Sequence, residues 1–359
     1  MNPARVAWDT ETTFLLALMS LRGVGPKTLG RVMADLRALG LRTADILSLP
    51  AAELSARYGL SRLPSKADLD QARRDLAEMM SRGVSILRLD QPSPISLDED
   101  DYGELTYPPQ LASTLGSDAP PVLFAGGEMS LLARAGVGFC GSREASERAL
   151  GAVTETASQV ASAGINVISG YARGVDLAAH RAALKSGGVT TMVLAEGVLR
   201  FSPRTELREL VSPYNTLILS EFPPRMSWSV GSAMKRNSTI CAFADAMVVV
   251  ESKLSGGTFA AGNSALELGR PLFVVDYGEG SSMAPGNRYF IERGAVRLRR
   301  SRSSGQPMSA GLVEAATRQA AKDDIGRVGW SAKDFMWRTQ IEKEAETKPT
   351  PLGLWVRAD

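Results

Sequence analysis

The chain has 359 residues, 44% hydrophobic and 22% charged, with a formal net charge of +2. That is a globular balance, too long for one compact core and too near neutral for nucleic-acid binding through overall charge. No apolar run approaches the roughly 20 residues that span a bilayer. The start, Met1 to Arg5 leading into Asp9 and Glu11, has no signal-peptide core, so the expected setting is the cytoplasm, with no membrane partner.

Residues 10–82 read as helical. Thr12, Phe14, Leu15, Leu16, Leu18 and Met19 read as one apolar face, and Leu29, Val32, Met33 and Leu36 recur at helical spacing after Leu21-Arg22-Gly23-Val24-Gly25-Pro26. Helix, glycine turn, helix with Pro26 in the first turn is a helix-hairpin-helix-like pattern. Such a turn either aims backbone N–H groups at a phosphate or is a plain connection. Residues 91–120, rich in Pro, Asp and Ser and including Tyr107-Pro108, read as a connector.

From residue 136 the pattern alternates. Strands are expected at 136–140, 165–168, 190–194, 216–219, 246–250 and 271–275, and helices at 147–163, 175–186, 205–211, 232–244 and 258–268. The strands are apolar throughout, which predicts an α/β fold: an extended Rossmann-like parallel sheet with helices on both faces. After 288 the chain turns basic, with Arg288, Arg293, Arg297, Arg299, Arg300 and Arg302. Residues 301–311 read as a linker, 311–323 as a helix, and the tail carries Trp330, Trp337 and Trp355. The expected domains are a helical unit over 1–90, the Rossmann-like core over 91–300, and a linker with a short extension over 301–359 without a clear winged helix.

In such a sheet, ligands bind beyond the carboxyl ends of the strands. There the sequence places Gly141-Ser142-Arg143, then Ser169-Gly170 through Arg173-Gly174-Val175-Asp176, then Ser220-Glu221, and Lys253 with Ser255-Gly256-Gly257-Thr258. Glycines admit a close ligand and helix starts point N–H groups at anions. Together with Lys235, Arg236 and Asn237 on the 232–244 helix, these loops predict a phosphate-binding rim. No GxGxxG follows the first strand, and Gly256-Gly257-Thr258 lacks the Walker A lysine. With one histidine, His180, and two separated cysteines, Cys140 and Cys241, the donors argue against zinc, and the thiols read as buried and inert. No cofactor is expected.

Taken together, Gly141-Ser142-Arg143, Ser169-Gly170-x-Ala172-x-Gly174-Val175-Asp176-x-x-Ala179-His180, Ser220-Glu221, Arg236-Asn237 and Ser255-Gly256-Gly257-Thr258 resemble the DNA-processing protein DprA (Smf) family. Asp101-Tyr102, Tyr107-Pro108, Pro121-Val122-Leu123, Gly286-Asn287 and Gly294-Ala295 fit as well, so the resemblance covers roughly residues 100–296. It implies a single-stranded-DNA-binding homodimer acting in DNA processing, natural transformation or recombination, which protects the strand and loads a RecA-type recombinase without catalysis. Three departures mark a divergent member: Ser238 stands where the family has Arg, Asp276 follows the last strand in place of Pro-Gly, and no winged helix is recognisable.

The competing readings are a nucleotide-binding sensor in a phage-defence or mobile-element setting, and a phosphoribohydrolase. The latter shares a Gly-Gly-Thr loop followed by a glutamate, but Glu267 lies too far beyond Thr258. Glu221 and Glu251 could pair for glycoside chemistry or simply hold loops through backbone N–H groups. His180, among small alanines, is expected to bond a loop carbonyl, with a catalytic base as the alternative. A last-strand interface over Pro271–Val275 with Tyr289, Phe290 and Ile291 is the expected dimer surface.

Overall fold

A computed structural model describes residues 3–90, 107–278, 284–299 and 309–323. Residues 91–106 of the connector, Arg300, Arg302, residues 301–308 of the linker, and Trp330, Trp337 and Trp355 lie outside the described residues. The N-terminal unit is helical: α1 (Pro3–Met19), α2 (Pro26–Ala38), α3 (Thr43–Leu47), α4 (Ala51–Tyr58) and α5 (Lys66–Ser81). Pro26 starts α2 and Gly23 takes the left-handed conformation (φ 85°) that the turn before it needs. Ser65 and Asp68 close a capping box at α5. Asp35 ties α2 to α4 by accepting from Arg57 Nε (2.8 Å) and the Tyr58 hydroxyl (2.9 Å).

The chain then enters the sheet. In order come β1 (Val84–Arg88), α6 (Pro109–Leu115), β2 (Val122–Gly127), β3 (Gly136–Cys140), α7 (Glu147–Ser162), β4 (Asn166–Ser169), α8 (Val175–Lys185), β5 (Thr190–Val193) and β6 (Thr216–Ser220). After them come α9 (Val230–Phe243), β7 (Ala246–Val249), α10 (Gly257–Glu267), β8 (Leu272–Val275), α11 (Pro285–Glu292), β9 (Val296–Leu298) and α12 (Ala310–Lys322). The sheet order is β1-β2-β6-β5-β4-β3-β7-β8-β9. From β6 through β9 every pairing is parallel, while β2 runs antiparallel to both β1 and β6. The expected parallel core is therefore present, extended at one edge by two antiparallel strands.

Alternation along the strands sorts the core into two faces. Leu123, Ile168, Val193, Leu217, Met247, Val249 and Val274 share one cluster with α9, α10 and α11. On the other face, Val137, Phe139, Val167, Val248 and Phe273 pack against α7, α8 and α12. Val84, Ile86, Phe124, Met192 and Ile218 continue that second face under the N-terminal helices. The helical unit is thus fused to the sheet through a common core, with Arg225 bonding Asp75 Oδ1 at 2.7 Å and also pairing with Glu78.

The expected helix at 205–211 forms turns instead. The run is short for a helix, and its entry is pinned, since the Arg204 amide donates to the Tyr171 hydroxyl at 2.6 Å. The apolar strand over Leu272–Val275 is also not an exposed edge: it lies between β7 and β9.

His180 is fully buried. Its Nε2–H donates to the Gly170 carbonyl (2.6 Å), and Nδ1 lies 2.7 Å from the Thr190 hydroxyl oxygen, which itself donates to the Val167 carbonyl (2.6 Å). Burial holds it neutral, with its pKa lowered from 6.5 to about 4. A depressed histidine contributes fully above the unfolded pKa, and that contribution is lost as pH falls from 6.5 toward 4. Between pH 7.5 and pH 5 the loss is about 2 kcal/mol. His180→Gln keeps a donor for Gly170 without a titrating ring, so denaturant melts of this variant at the two pH values should differ by about that much less than wild-type melts. Equal pH dependence would show that His180 is not held neutral.

Candidate nucleic-acid interface

Strand order reverses at β3, with β4 to one side and β7 to the other. The crevice beyond the carboxyl ends of β3 and β7 is the topological switch point of the sheet, and it is lined by the loops that the sequence singles out. A cleft of about 470 Å³ is lined by Gly141, Ser142, Arg143, Lys253, Ser255, Gly257 and Thr258, with Arg236 and Asn237 from α9. It shares Arg143 and Arg236 with a neighbouring cleft of about 690 Å³, which adds Arg173, Tyr171, Arg204 and Trp228.

Close backbone packing holds these loops together. Gly174 has φ 79°, and a methyl group there would stand 2.3 Å from the Ser142 carbonyl oxygen. The Val175 amide donates to that same carbonyl at 3.2 Å. The loop after β3 is thereby clamped onto the start of α8. Asp176 accepts from the Ala172 amide at 3.2 Å, and Ser169 Oγ donates to the Phe139 carbonyl at 2.7 Å. The loop after β7 is stapled from the far side: Asn287 accepts from the Ser252 amide (2.9 Å) and donates to the Val250 (2.8 Å) and Val275 (2.9 Å) carbonyls. Asn237 completes the frame by donating to the Gly257 carbonyl at 3.1 Å. Gly256, at φ 91°, caps α10, so the free N–H groups of that helix start face the cleft.

Arg236 lies at the base of both clefts. It is 5% exposed, Nη1 donates to the Val193 carbonyl at 2.9 Å, and Nε has no partner. A methyl at Gly170 would collide with this guanidinium, so Gly170 is the residue that lets it pass. Burial lowers the Arg236 pKa, with Asp176 the main opposing influence, and raises that of Asp176. A buried cation short of partners attracts an anion into the cleft it lines.

The expected residues do not all share one position. Ser169, Gly170 and Gly174 shape the floor rather than line it. Arg143, Arg173 and Lys253 are exposed on the rim. Lys235 faces a third cleft, between the Leu21–Pro26 turn and Phe222, with Nζ 2.7 Å from Glu221 Oε2. Glu221 also accepts from the Thr239 hydroxyl at 2.5 Å, and Glu251 accepts from the Ser146 amide (3.1 Å) and hydroxyl (2.7 Å) at the start of α7. Both carboxylates therefore hold loops. Cys140 and Cys241 are buried and unpaired with each other, and burial raises the pKa of each. Tyr171 lies in a loop that the sequence singles out but carries no motif signal of its own, and Arg204 and Trp228 sit in loops with no periodicity, so none of the three is legible as a site residue. The signal available was Trp228 itself, a tryptophan in a Pro/Ser loop just ahead of α9.

The packing separates two glycines that look alike in sequence. A methyl at Gly257 meets nothing nearer than Asn237 Nδ2 at 3.6 Å, and no positive φ is involved. Gly257→Ala should leave the melting temperature within about 3 °C of wild type, whereas Gly174→Ala should lower it by more, its cost exceeding about 2 kcal/mol. Equal melting temperatures for the two variants would contradict the clamp between Gly174 and Ser142.

Residues 101–305 match the family described as DNA recombination-mediator protein A. The chain is 34% identical over 195 residues to protein Smf of Escherichia coli, covering 53% of this chain and 51% of that protein. It is 32% identical over 196 residues to DNA processing protein DprA of Streptococcus pneumoniae, covering 54% and 67% respectively. The chain thus matches about half of the Escherichia coli protein's length. The crystal structure of the Streptococcus pneumoniae protein superposes over 81% of this chain and 93% of its own, with a TM-score of 0.56 at 24% identity. Among the described residues no helix is long and apolar enough to cross a membrane. With the family match running through every loop of the switch-point cleft, this chain belongs to the DNA recombination-mediator protein A family.

Proposed function

We propose that the chain is a DNA-processing protein that binds single-stranded DNA through the switch-point cleft, with phosphates over Arg236 and held by Arg143, Lys253 and the Ser255–Thr258 helix start. The observation that carries this is the buried, incompletely partnered Arg236 at the base of two adjoining clefts. A mononucleotide needs one clamp. Here exposed cations stand along a continuous rim from Lys253 through Arg143 to Arg173, which suits successive phosphates of a strand.

On this reading the protein shields the strand and passes it to a RecA-type recombinase in transformation or recombination, in the cytoplasm and without catalysing a reaction. Family membership supports that role. The phosphoribohydrolase reading calls for a glutamate shortly after Gly256-Gly257-Thr258, and Glu267 is instead exposed at the far end of α10; of the glutamates that line the two adjoining clefts, Glu144, Glu196 and Glu251, the last is engaged by Ser146. A homodimer is part of the proposal. Since β8 is internal, the surface available is α11, where Tyr289 and Ile291 are half-exposed, beside edge strand β9 with Val296 exposed. A monomer by light scattering at micromolar concentration would remove that part.

The test of DNA binding is a salt series with a labelled oligothymidylate. Each phosphate contact contributes about 0.7 to the slope of log affinity against log salt, so Arg143→Ala and Lys253→Ala should each flatten the slope by about that amount. Gly257→Ala should lower affinity while remaining folded. Lys235→Ala should leave the slope unchanged, because Glu221 already matches its charge. If none of Arg143→Ala, Lys253→Ala and Gly257→Ala alters binding, the cleft is not the DNA site.

A further inference from the structure

A further cleft of about 320 Å³ opens beyond the carboxyl end of β8, lined by Asp276, Tyr277, Asn287, Arg288, Glu292 and Arg297. It lies back to back with the switch-point cleft, and the start of α11 is the wall between them. On one side of that wall, Asn287 holds the Ser252 amide and the Val250 carbonyl. Gly286 packs there so closely that a methyl group would stand 2.2 Å from the Lys253 carbonyl oxygen. On the other side, Arg288 and Arg297 line the new cleft. Part of the basic run after residue 287 thus continues the rim beyond Lys253.

Charge and exposure suit an anion here. The side chains of Arg288, Arg297 and Arg299 are 81%, 47% and 59% exposed. Arg297 and Arg299, two residues apart, point to one side of β9 and share one acceptor, Asp276 Oδ2, at 3.5 and 2.8 Å. Arg148 adds a cation from the first turn of α7: it donates to the Tyr277 carbonyl at 3.1 Å, and its guanidinium lies over the Tyr277 ring. Against these four arginines stand two carboxylates, Asp276 and Glu292, so two positive charges are left over among the described residues. The Arg288–Glu292 pair is exposed and weak. A tie between β8 and β9 needs no such surplus, because the strands are already joined by their ladder. Among the residues lining the cleft, Tyr277 supplies the one ring, and it is buried with its hydroxyl donating to the Val250 carbonyl. Bases find nothing to stack on, so the site addresses the phosphate backbone alone.

Resting on the DNA-binding reading above, we propose that this second cleft holds backbone phosphates of the same strand after it passes Lys253. The bound strand then runs from β4 across the sheet to its β9 edge. The cations follow the strand order: Arg173 after β4, Arg143 after β3, Lys253 after β7, Arg288 after β8, and Arg297 with Arg299 on β9 itself. Four strand-to-strand steps of about 4.8 Å give a track of about 19 Å. Asp276, which stands where the family has Pro-Gly, sets how much of the charge at its far end is free.

The experiment measures salt slopes for two oligothymidylates, of about four and about twelve nucleotides. Extra length multiplies the binding registers but adds slope only where more phosphates are contacted. For wild type the long slope should exceed the short one by about 1.4, two contacts at about 0.7 each. Arg288→Ala and Arg297→Ala should each remove about 0.7 from the long slope, a weakening of about 5-fold in about 0.1 M salt relative to about 1 M. The short slope should not change. Asp276→Asn, which frees the charge, should strengthen binding of the long oligonucleotide alone. Equal slopes for the two lengths in wild type would overturn the proposal, as would arginine variants that keep the long slope. So would a loss confined to variants whose assembly state, by light scattering, has changed. An Asp276→Asn protein that melts lower without binding more tightly would make the arginines a strand tie, and a loss on duplex in place of the long single strand would assign the cleft to a different ligand; either result overturns the proposal. Failure of wild type to bind the short oligonucleotide would instead defeat the reading of the switch-point cleft, an outcome distinct from the others.

Discussion

Arg236 carries a positive charge into the interior beneath Gly170, and the loops around it are arranged to house that charge. Moving a guanidinium out of water is costly unless hydrogen bonds and opposite charge replace the solvent. Here the replacement is incomplete: one carbonyl, that of Val193, receives Nη1, Asp176 lies close enough to exert an opposing field, and Nε is left without a partner. Gly170 has no side chain because the guanidinium occupies that space. His180 fixes the Gly170 carbonyl, and Gly174 lets the neighbouring loop settle onto Ser142. Gly170, Gly174, Asp176 and His180, which stand out in the sequence, thus lie in the frame around one buried cation.

The topology explains why this cation lies where a ligand can reach it. Helices α9 and α10 follow β6 and β7, and their starts converge with the loops after β3 and β4 at the point where strand order reverses. Asn237 bonds the first residue of α10, and Asn287 bonds the loop before it. These two amides are the staples of the site and need not touch a ligand themselves. The N-terminal helices reach the same neighbourhood from the opposite face. Their Leu21–Pro26 turn borders a cleft shared with Phe222 and Lys235, so that turn lies within the same molecule-wide frame as the core.

Much of this architecture was legible before any coordinates. The parallel strands from β3 to β8 announce themselves as largely apolar runs closed by glycine or polar turns, because strands buried on both faces carry no charge and few polar positions, such as Asn166, Thr190, Thr191 and Thr216. Strands β1 and β2 were not legible: Val84–Arg88 follows a helix directly and Val122–Gly127 follows a proline pair, and neither sits in a strand–helix repeat. Their pairing is long-range and antiparallel, which local pattern does not encode. The rim residues Gly141, Arg143, Lys253 and Thr258 were found from loop position alone. What the sequence could not separate was lining from support. Arg236 and Lys235 are adjacent cations on one helix, yet one is buried at the base of the cleft and the other is paired with Glu221 on a different face. Side-chain direction around a helix decides this, and it depends on how α9 is rotated against the sheet. Trp228 was missed for a related reason: its role follows from the guanidinium that packs over it.

The most direct measurement is a crystal structure of the chain with a short oligothymidylate. The account predicts a phosphate above Arg236, within hydrogen-bonding distance of Arg143 and of the backbone N–H groups at the start of α10, with the Arg236 Nε or its guanidinium fellow nitrogens engaged directly or through one water. A strand located elsewhere, such as along the Leu21–Pro26 turn, with the base of the switch-point cleft left without a phosphate, would contradict it.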